Sequence, residues 1–264
     1  MSPLSPVCLI TGASAGIGAA LARVFAQYGH ALVLTARREA QLASLADEIA
    51  TGGQPRPHIF AVDLGATDGP ARLAEALYTA GLEPAIVVNN AGFGLFGDAA
   101  DLDRAQQLAM IDLNIRALTD LSLRWLESIT RHRGGILNVA SIAGFLPGPG
   151  MAVYHASKAY VLSFTEAMHE ELKAGGVRVC ALCPGPVETE FNERAGLPDG
   201  YFPGYLSRSA ERVARDGYQG FMDGHRVVVP GKPNRIMTLA PRLLPRGLML
   251  AMTNWRRKRA DPGG

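Results

Sequence analysis

The sequence is poor in cysteine, in long apolar runs and, over one stretch, in acidic residues, and each shortage excludes something. Its three cysteines, Cys8, Cys180 and Cys183, all lie in apolar runs. That fits buried thiols in a reducing compartment better than a disulfide framework. Cys180-Ala-Leu-Cys183 has CxxC spacing, but it falls inside a strand-like run and not at a helix start, which speaks against redox chemistry. No run reaches the roughly 18 apolar residues that a membrane-spanning helix needs. Met1 to Pro6 has neither a basic region nor an apolar core like those of a secretory signal, so a cytoplasmic chain is expected. The histidines, His30, His58, His132, His155, His169 and His225, show no ligand spacing, and no metal site is expected.

The missing acids lie between residues 224 and 260, which hold nine Lys or Arg and no Asp or Glu. Residues 1–223 hold 17 basic against 23 acidic residues, so the formal charge of +2 is a cancellation between an acidic body and a basic tail. Whole-chain charge therefore gives no argument for nucleic acid, and no nucleic-acid partner is expected. What is present is ordinary for a globular protein: 264 residues, 48% of them hydrophobic, with no repeat and no low-complexity linker.

Short apolar runs alternate with amphipathic stretches through residue 183. Strands are predicted at Val7–Thr11, Ala31–Thr35, His58–Val62, Ala85–Val88, Gly135–Ala140 and Arg178–Leu182, with a seventh at Arg226–Val229. Helices are predicted at Ile17–Tyr28, Glu39–Ala50, Gly69–Thr79, Tyr154–Ala174 and, as one long element, about Leu102 to Arg131. The alternation describes an α/β fold, a Rossmann-type doubly wound parallel sheet of seven strands with helices on both faces. Residues 1–230 read as a single catalytic domain and 231–264 as a basic, apolar extension packed on it or on a partner subunit. Pro184 to Ser207, rich in Pro, Gly and aromatics, is long enough to be a lid.

Thr11-Gly12-Ala13-Ser14-Ala15-Gly16-Ile17-Gly18 joins the first strand to the first helix. Glycines there allow a tight turn and let backbone N–H groups approach a pyrophosphate at the positive end of the helix. The spacing is G-x-x-x-G-x-G, so Gly12, Ser14, Gly16, Ile17 and Gly18 are candidate cofactor residues. Many NAD-binding folds carry an acid after the second strand; this chain has Arg37 and Arg38 there instead. Two guanidiniums suit a 2′-phosphate, which points to NADP(H), with Arg37 the first choice and Arg38 a stacking partner for adenine. Asp63 and Leu64 close the third strand, and Asn89, Asn90, Ala91 and Gly92 close the fourth, at the strand ends where such sheets bind ligands. For Asn89 a structural role between strands competes with cofactor contact.

Ser141 ends the fifth strand, and Tyr154-His155-Ala156-Ser157-Lys158 follows. At i and i+4, Tyr154 and Lys158 share a helix face, where the lysine can lower the phenol pKa and make Tyr154 a general acid or base. Ser141 could hydrogen-bond a substrate carbonyl.

Taken in order, Gly12-x-x-x-Gly16-Ile17-Gly18, Asn89-Asn90-Ala91-Gly92, Ser141, Tyr154-x-x-x-Lys158 and Pro184-Gly185 resemble the short-chain dehydrogenase/reductase family over about residues 5–190. The resemblance implies that Tyr154 protonates the carbonyl, Ser141 orients its oxygen, and Lys158 binds the cofactor ribose and lowers the tyrosine pKa. It implies that Asn114 holds a water linking the lysine to solvent, and that Pro184, Gly185, Val187 and Thr189 form the nicotinamide-side segment. A basic residue where Arg37 stands agrees with NADP(H), although Ala15 occupies a position where some NADP-dependent members carry a second one. A homodimer or homotetramer is expected. The alternative is a catalytically idle NADPH sensor or a membrane-associated binding protein.

Phe93, Phe96, Phe145, Met151, Phe191, Tyr201, Phe202 and Tyr205 cluster in segments expected to flank the nicotinamide. Phe93, Phe145, Met151 and Phe191 are the first substrate candidates, and such a lining suits an apolar carbonyl or secondary alcohol. Arg194 and Arg208 could steer an acidic group. The tail reads either as helices crossing a subunit interface or as a peripheral contact with an anionic membrane. Pro241 and Pro245 predict two short helices in it rather than one.

Overall fold

The computed structural model describes residues 4–198 and 200–260. Seven parallel strands form one sheet in the order β3-β2-β1-β4-β5-β6-β7. The strands are β1 (Ser5–Thr11), β2 (Leu32–Ala36), β3 (His58–Ala61), β4 (Leu82–Asn89), β5 (Gly135–Val139), β6 (Arg178–Leu182) and β7 (Val227–Val228). The central strands β1, β4, β5 and β6 are almost wholly buried, as expected of a parallel sheet covered on both faces. The order reverses between β1 and β4, and the crevice beyond their C-terminal ends is where a ligand fits in such a sheet.

One face is covered by α1 (Gly16–Gln27), α2 (Glu39–Thr51) and α9 (Ala210–Met222), which pack Phe25, Leu42, Val213 and Phe221 against the sheet. Alanines at 19, 20, 22 and 26 keep the inner side of α1 small, so it sits close to the strands. The other face is covered by α3 (Gly69–Thr79), by the helical segment 104–131, and by α7 (Ala152–Leu172).

The expected long helix is broken. It runs as α4 (Arg104–Ile111), a π-helical turn at Asp112–Ala117, α5 (Leu118–Arg124) and α6 (Leu126–Arg131). The second break falls at Trp125, whose carbonyl accepts a hydrogen bond from Ser128 Oγ at 3.1 Å. Ser128 Oγ also bonds the Pro84 carbonyl at 2.7 Å, which ties the kink to β4. Asn89 turns out to be a fastening between strands. Its Nδ2 donates to Ser122 Oγ and to Asn138 Oδ1, both at 2.9 Å, and Asn138 Nδ2 donates to Thr165 Oγ1 at 2.9 Å.

The Pro184–Ser207 segment carries a short helix, α8 (Glu190–Arg194), and a 3-10 turn at Gly204–Leu206. The tail folds as two helices, α10 (Lys232–Leu243) and α11 (Arg246–Ala260). Only Pro245 separates them: Leu244 before it is extended, as a residue preceding proline prefers, while Pro241 is accommodated in the last turn of α10. Of the two expected placements, on the body or on a partner subunit, α10 takes the first within this chain. Asn234 is fully buried, and its Nδ2 donates to the carbonyls of Pro230 (3.0 Å) and Leu206 (3.2 Å). Residues 261–264 of the expected extension lie outside the described residues, as do Met1–Pro3.

Candidate active site

A cavity of about 480 Å³ opens at the C-terminal ends of β1 and β4 to β6. Its floor is the glycine turn. Gly12 and Gly16 have φ of +64° and +54°, the left-handed region that side chains resist. Asn90 holds this turn from β4: its Nδ2 donates to the Thr11 carbonyl at 2.9 Å and the Gly12 carbonyl at 3.2 Å. Thr11 Oγ1 in return accepts the N–H groups of Asn90 and Ala91, each at 3.0 Å. Gly18 lies behind the turn, where a side chain would overlap the Gly12 carbonyl and Asn90, so it serves close packing and does not line the cavity. No side chain caps the first turn of α1, leaving its N–H groups directed at the cavity end. Glycine turn and uncapped helix together fit a pyrophosphate.

Gly12, Ser14, Gly16, Ile17, Arg37, Arg38, Asp63, Leu64, Asn90, Ala91 and Gly92 line one half of the cavity. Arg37 is exposed at its rim. Arg38 is held: Nε and Nη2 donate to Ser14 Oγ at 3.3 and 3.2 Å, and Nη1 lies 3.1 Å from the Glu190 carboxylate. Pro184, Gly185, Val187 and Thr189 line the opposite side, and Thr189 caps α8 by accepting the Phe191 N–H at 3.4 Å.

Ser141, Tyr154 and Lys158 meet at the centre of the cavity. Ser141 ends β5 and caps a 3-10 turn, Ile142–Phe145, by accepting the Ala143 N–H at 3.1 Å. Tyr154 and Lys158 share the inner face of α7, with the ammonium 5.9 Å from the phenol ring centre. Lys158 is buried, and its Nζ donates to the Val139 carbonyl at 2.8 Å. Burial pushes this lysine down to about 8. It pushes the Tyr154 phenol up to about 12, with the Ser141 hydrogen bond pulling the other way. Desolvation outweighs that hydrogen bond, the expected lowering by Lys158 is not seen, and Tyr154 is a neutral hydroxyl donor through the physiological range.

Asn114 lies in the π-helical turn and is buried just behind the lining. Its Nδ2 donates to the Phe93 carbonyl at 2.9 Å and to Ser157 Oγ at 3.1 Å, and its Oδ1 accepts the Phe93 N–H at 3.1 Å. It therefore locks the backbone that follows Gly92. A π-helical bulge is a common way to aim one helix residue at a site.

The remaining wall is apolar. Phe93, Met151 and Phe191 line it, and the Phe191 ring lies 5.4 Å from that of Tyr154. Tyr201 and Phe202 also line it, whereas Phe96 packs behind Tyr201 and Tyr205 points outward. Phe145 is a correction: the 3-10 turn winds it back onto the core with Leu118, Val161 and Leu162, away from the cavity. Arg194 reaches the lining but pairs with Glu190. Arg208 donates to the carbonyls of Tyr205 and Ser207 and does not reach it.

Sequence reasoning missed several lining residues. His155 donates from Nδ1 to the Leu146 carbonyl at 2.8 Å, and burial lowers its pKa so that it stays neutral. Its place beside Tyr154 was the available signal. Met237 of α10 and Thr253 of α11 carry no local signal at all, yet both line the cavity. Arg257 of α11 closes this wall with an ion pair to Asp98 at 2.6 Å. Gly150 makes room for it with φ +81°, for a side chain there would stand 2.8 Å from Arg257 Cδ. The tail, expected as an extension packed on the body or on a partner subunit, thus contributes two residues to the cavity wall. Among the described residues no cluster of three His, Cys, Asp or Glu could hold a metal, and the three cysteines are free and buried. Burial raises their thiol pKa values, in Cys180 to about 12.

Residues 6–198 match the short chain dehydrogenase family. A sulfoacetaldehyde reductase of Chromohalobacter salexigens is 39% identical over 191 residues, 71% of this chain and 75% of that protein. Among solved structures, a short-chain dehydrogenase from Sphingobium yanoikuyae in complex with NADPH is 30% identical, with TM-score 0.78 over 97% of this chain and 95% of that one. A bulky-bulky ketone specific alcohol dehydrogenase from Comamonas testosteroni is 25% identical, with TM-score 0.73 over 97% and 93%. The chain belongs to the short-chain dehydrogenase/reductase family, oxidoreductases of alcohol and carbonyl groups that use a nicotinamide cofactor.

Proposed function

We propose that this chain is an NADP(H)-dependent oxidoreductase that interconverts a carbonyl and a secondary alcohol on an apolar small molecule. One observation carries the reading: the Ser141 and Tyr154 hydroxyls share a single cavity with an anion-ready glycine turn at one end and an apolar wall at the other. The bound nicotinamide would supply the hydride. Tyr154, a neutral phenol, donates its proton to the carbonyl oxygen as charge develops there. Ser141 hydrogen-bonds the same oxygen and fixes its approach. Lys158, held against the Val139 carbonyl, is in place for ribose hydroxyls and for returning a proton to the phenol oxygen after it has donated its own. Asn114 holds the Phe93 backbone and, with it, the wall against which the reacting groups are aligned.

Arg37 and Arg38 favour a cofactor with a 2′-phosphate, and the NADPH complex of the Sphingobium relative supports that choice. The lining favours an apolar substrate over an acidic one, because Arg194, the cation near the substrate end, is already paired with Glu190. The bulky ketones of the Comamonas relative agree with this wall better than the small sulfonated aldehyde of the Chromohalobacter one. Self-association is supported by Leu108, Ile111 and Leu123, which stand exposed on α4 and α5.

The test is NADPH oxidation followed by absorbance against ketones spanning steroids, acyl chains, sugars and quinones. Turnover of an apolar ketone is expected, with NADPH preferred over NADH by at least about tenfold, or 1.4 kcal/mol. Oxidation of no member of the panel would return the chain to the alternative of an idle NADPH sensor.

A further inference from the structure

The outer face of the tail is unlike the rest of the surface. Of the large apolar side chains exposed among the described residues, half fall between residues 236 and 255. Ile236, Leu239, Leu248, Leu250, Met252 and Trp255 are between 40% and 69% exposed, on the two helices whose inner residues Met237 and Thr253 line the cavity. Lys232, Arg235 and Arg246 stand exposed on the same helices. The segment from 224 to 260 has nine basic residues and no acid, whereas the preceding 223 residues carry −6. Of the five basic residues whose side chains are described, Arg226 pairs with Glu166 and Arg257 with Asp98, which leaves Lys232, Arg235 and Arg246 on the outer face.

From this juxtaposition we infer that α10 and α11 seat the protein on an anionic phospholipid surface, and that the apolar substrate passes from the bilayer into the cavity they wall. Exposed apolar side chains among basic ones, on helices too short and too polar to span, describe an element lying in the plane of a membrane interface. The sign of charge selects the lipid: each basic residue near an anionic leaflet is attracted, and the acidic body is repelled. That polarity turns the tail toward the bilayer and the sheet away from it. A second copy of this tail would bring like charges together, so tail-to-tail pairing is disfavoured. The route for substrate rests on the reductase reading, while membrane seating does not.

The full chain is mixed with sedimentable vesicles of phosphatidylcholine alone, or with about one third phosphatidylglycerol. Pelleting with the anionic vesicles, at least about tenfold weaker with neutral ones or in about 0.5 M salt, is expected. So is a blue shift of Trp255 emission, isolated in a Trp125→Phe background. Ile236→Glu/Leu248→Glu, both at exposed positions, should lose the anionic vesicles yet reduce a water-soluble ketone at the parent rate. Equal pelleting with neutral and anionic vesicles, or none, would overturn the inference. So would a concentration-dependent oligomer that this double variant abolishes, since the face would then belong to a second copy. Failure of the reductase reading shows separately, as absence of turnover in both proteins whatever the vesicles do.

Discussion

Arg38 reaches over the rim of the cavity to Glu190, 3.1 Å away, and so joins the start of α2 to the helix that carries Phe191. A cofactor 2′-phosphate at this rim would compete with Glu190 for the guanidinium. Both side chains are partly exposed, so the pair is worth about 0.2–1 kcal/mol. Glu190→Gln should tighten NADPH binding up to about fivefold and leave NADH unchanged, while Arg38→Ala weakens NADPH selectively. Fluorescence titration with both cofactors reads this, and parallel changes for the two would exclude a phosphate contact.

Tyr154→Phe removes the proton donor and keeps the ring that packs on Phe191. Turnover is expected to fall by about 10²–10⁴. The dissociation constant for NADPH should stay within about twofold, because the phenol oxygen and not the ring does the chemistry. Retained turnover on a confirmed substrate would remove Tyr154 from the mechanism.

The pH profile follows from Lys158. With its pKa lowered to about 8, the lysine is charged at neutral pH and loses its proton above that value. Tyr154, at about 12, keeps its proton throughout. For carbonyl reduction, kcat/KM for NADPH should be level up to about pH 7 and fall by about tenfold per unit well above pH 8. In Lys158→Met the descending limb should vanish at a lower overall rate. A limb that persisted there would belong to another group.

Asn89 sits in a fully enclosed chain of amides and hydroxyls, Ser122–Asn89–Asn138–Thr165. Asn89→Ala leaves Asn138 Oδ1 without its donor, at a cost of about 1–3 kcal/mol. Denaturant unfolding should show that loss, and the remaining folded protein should bind NADPH as the parent does. A specific loss of cofactor affinity would mean that Asn89 touches the ligand.

Arg257→Ala breaks the pair with Asp98 and loosens the α11 wall. KM for bulky ketones should change several-fold while NADPH affinity and the pH profile stay put. Gly150→Ala should act in the same direction and also lower the melting temperature, since it places a side chain at φ +81° against Arg257.

Much of this was legible from residue order. Parallel strands buried on both faces read as apolar runs, so β1, β2 and β4 to β6 stood out, and the glycine turn declared its left-handed dihedrals by composition. Ser141, Tyr154 and Lys158 were legible because helical spacing and a strand end bring them together. Phe145 was misjudged because one 3-10 turn decides which way an aromatic points, and that turn depends on the Ser141 cap. The break at Trp125 depends on a hydrogen bond from Ser128 to β4, a contact made over 44 residues. Met237 and Thr253 were invisible for the same reason: their role arises from where α10 and α11 dock, which no local pattern encodes.

The wall those two residues form lies wholly beyond residue 198, where the match to the family's common sequence pattern ends. The family pattern therefore covers the cofactor and proton end of the cavity together with Phe93, Met151 and Phe191, and leaves out the part of the wall that α10 and α11 supply. Relatives can share chemistry with this chain and differ in diet. Exchanging residues 232–260 with those of a relative should move the range of accepted ketones between them and leave the catalytic step behind.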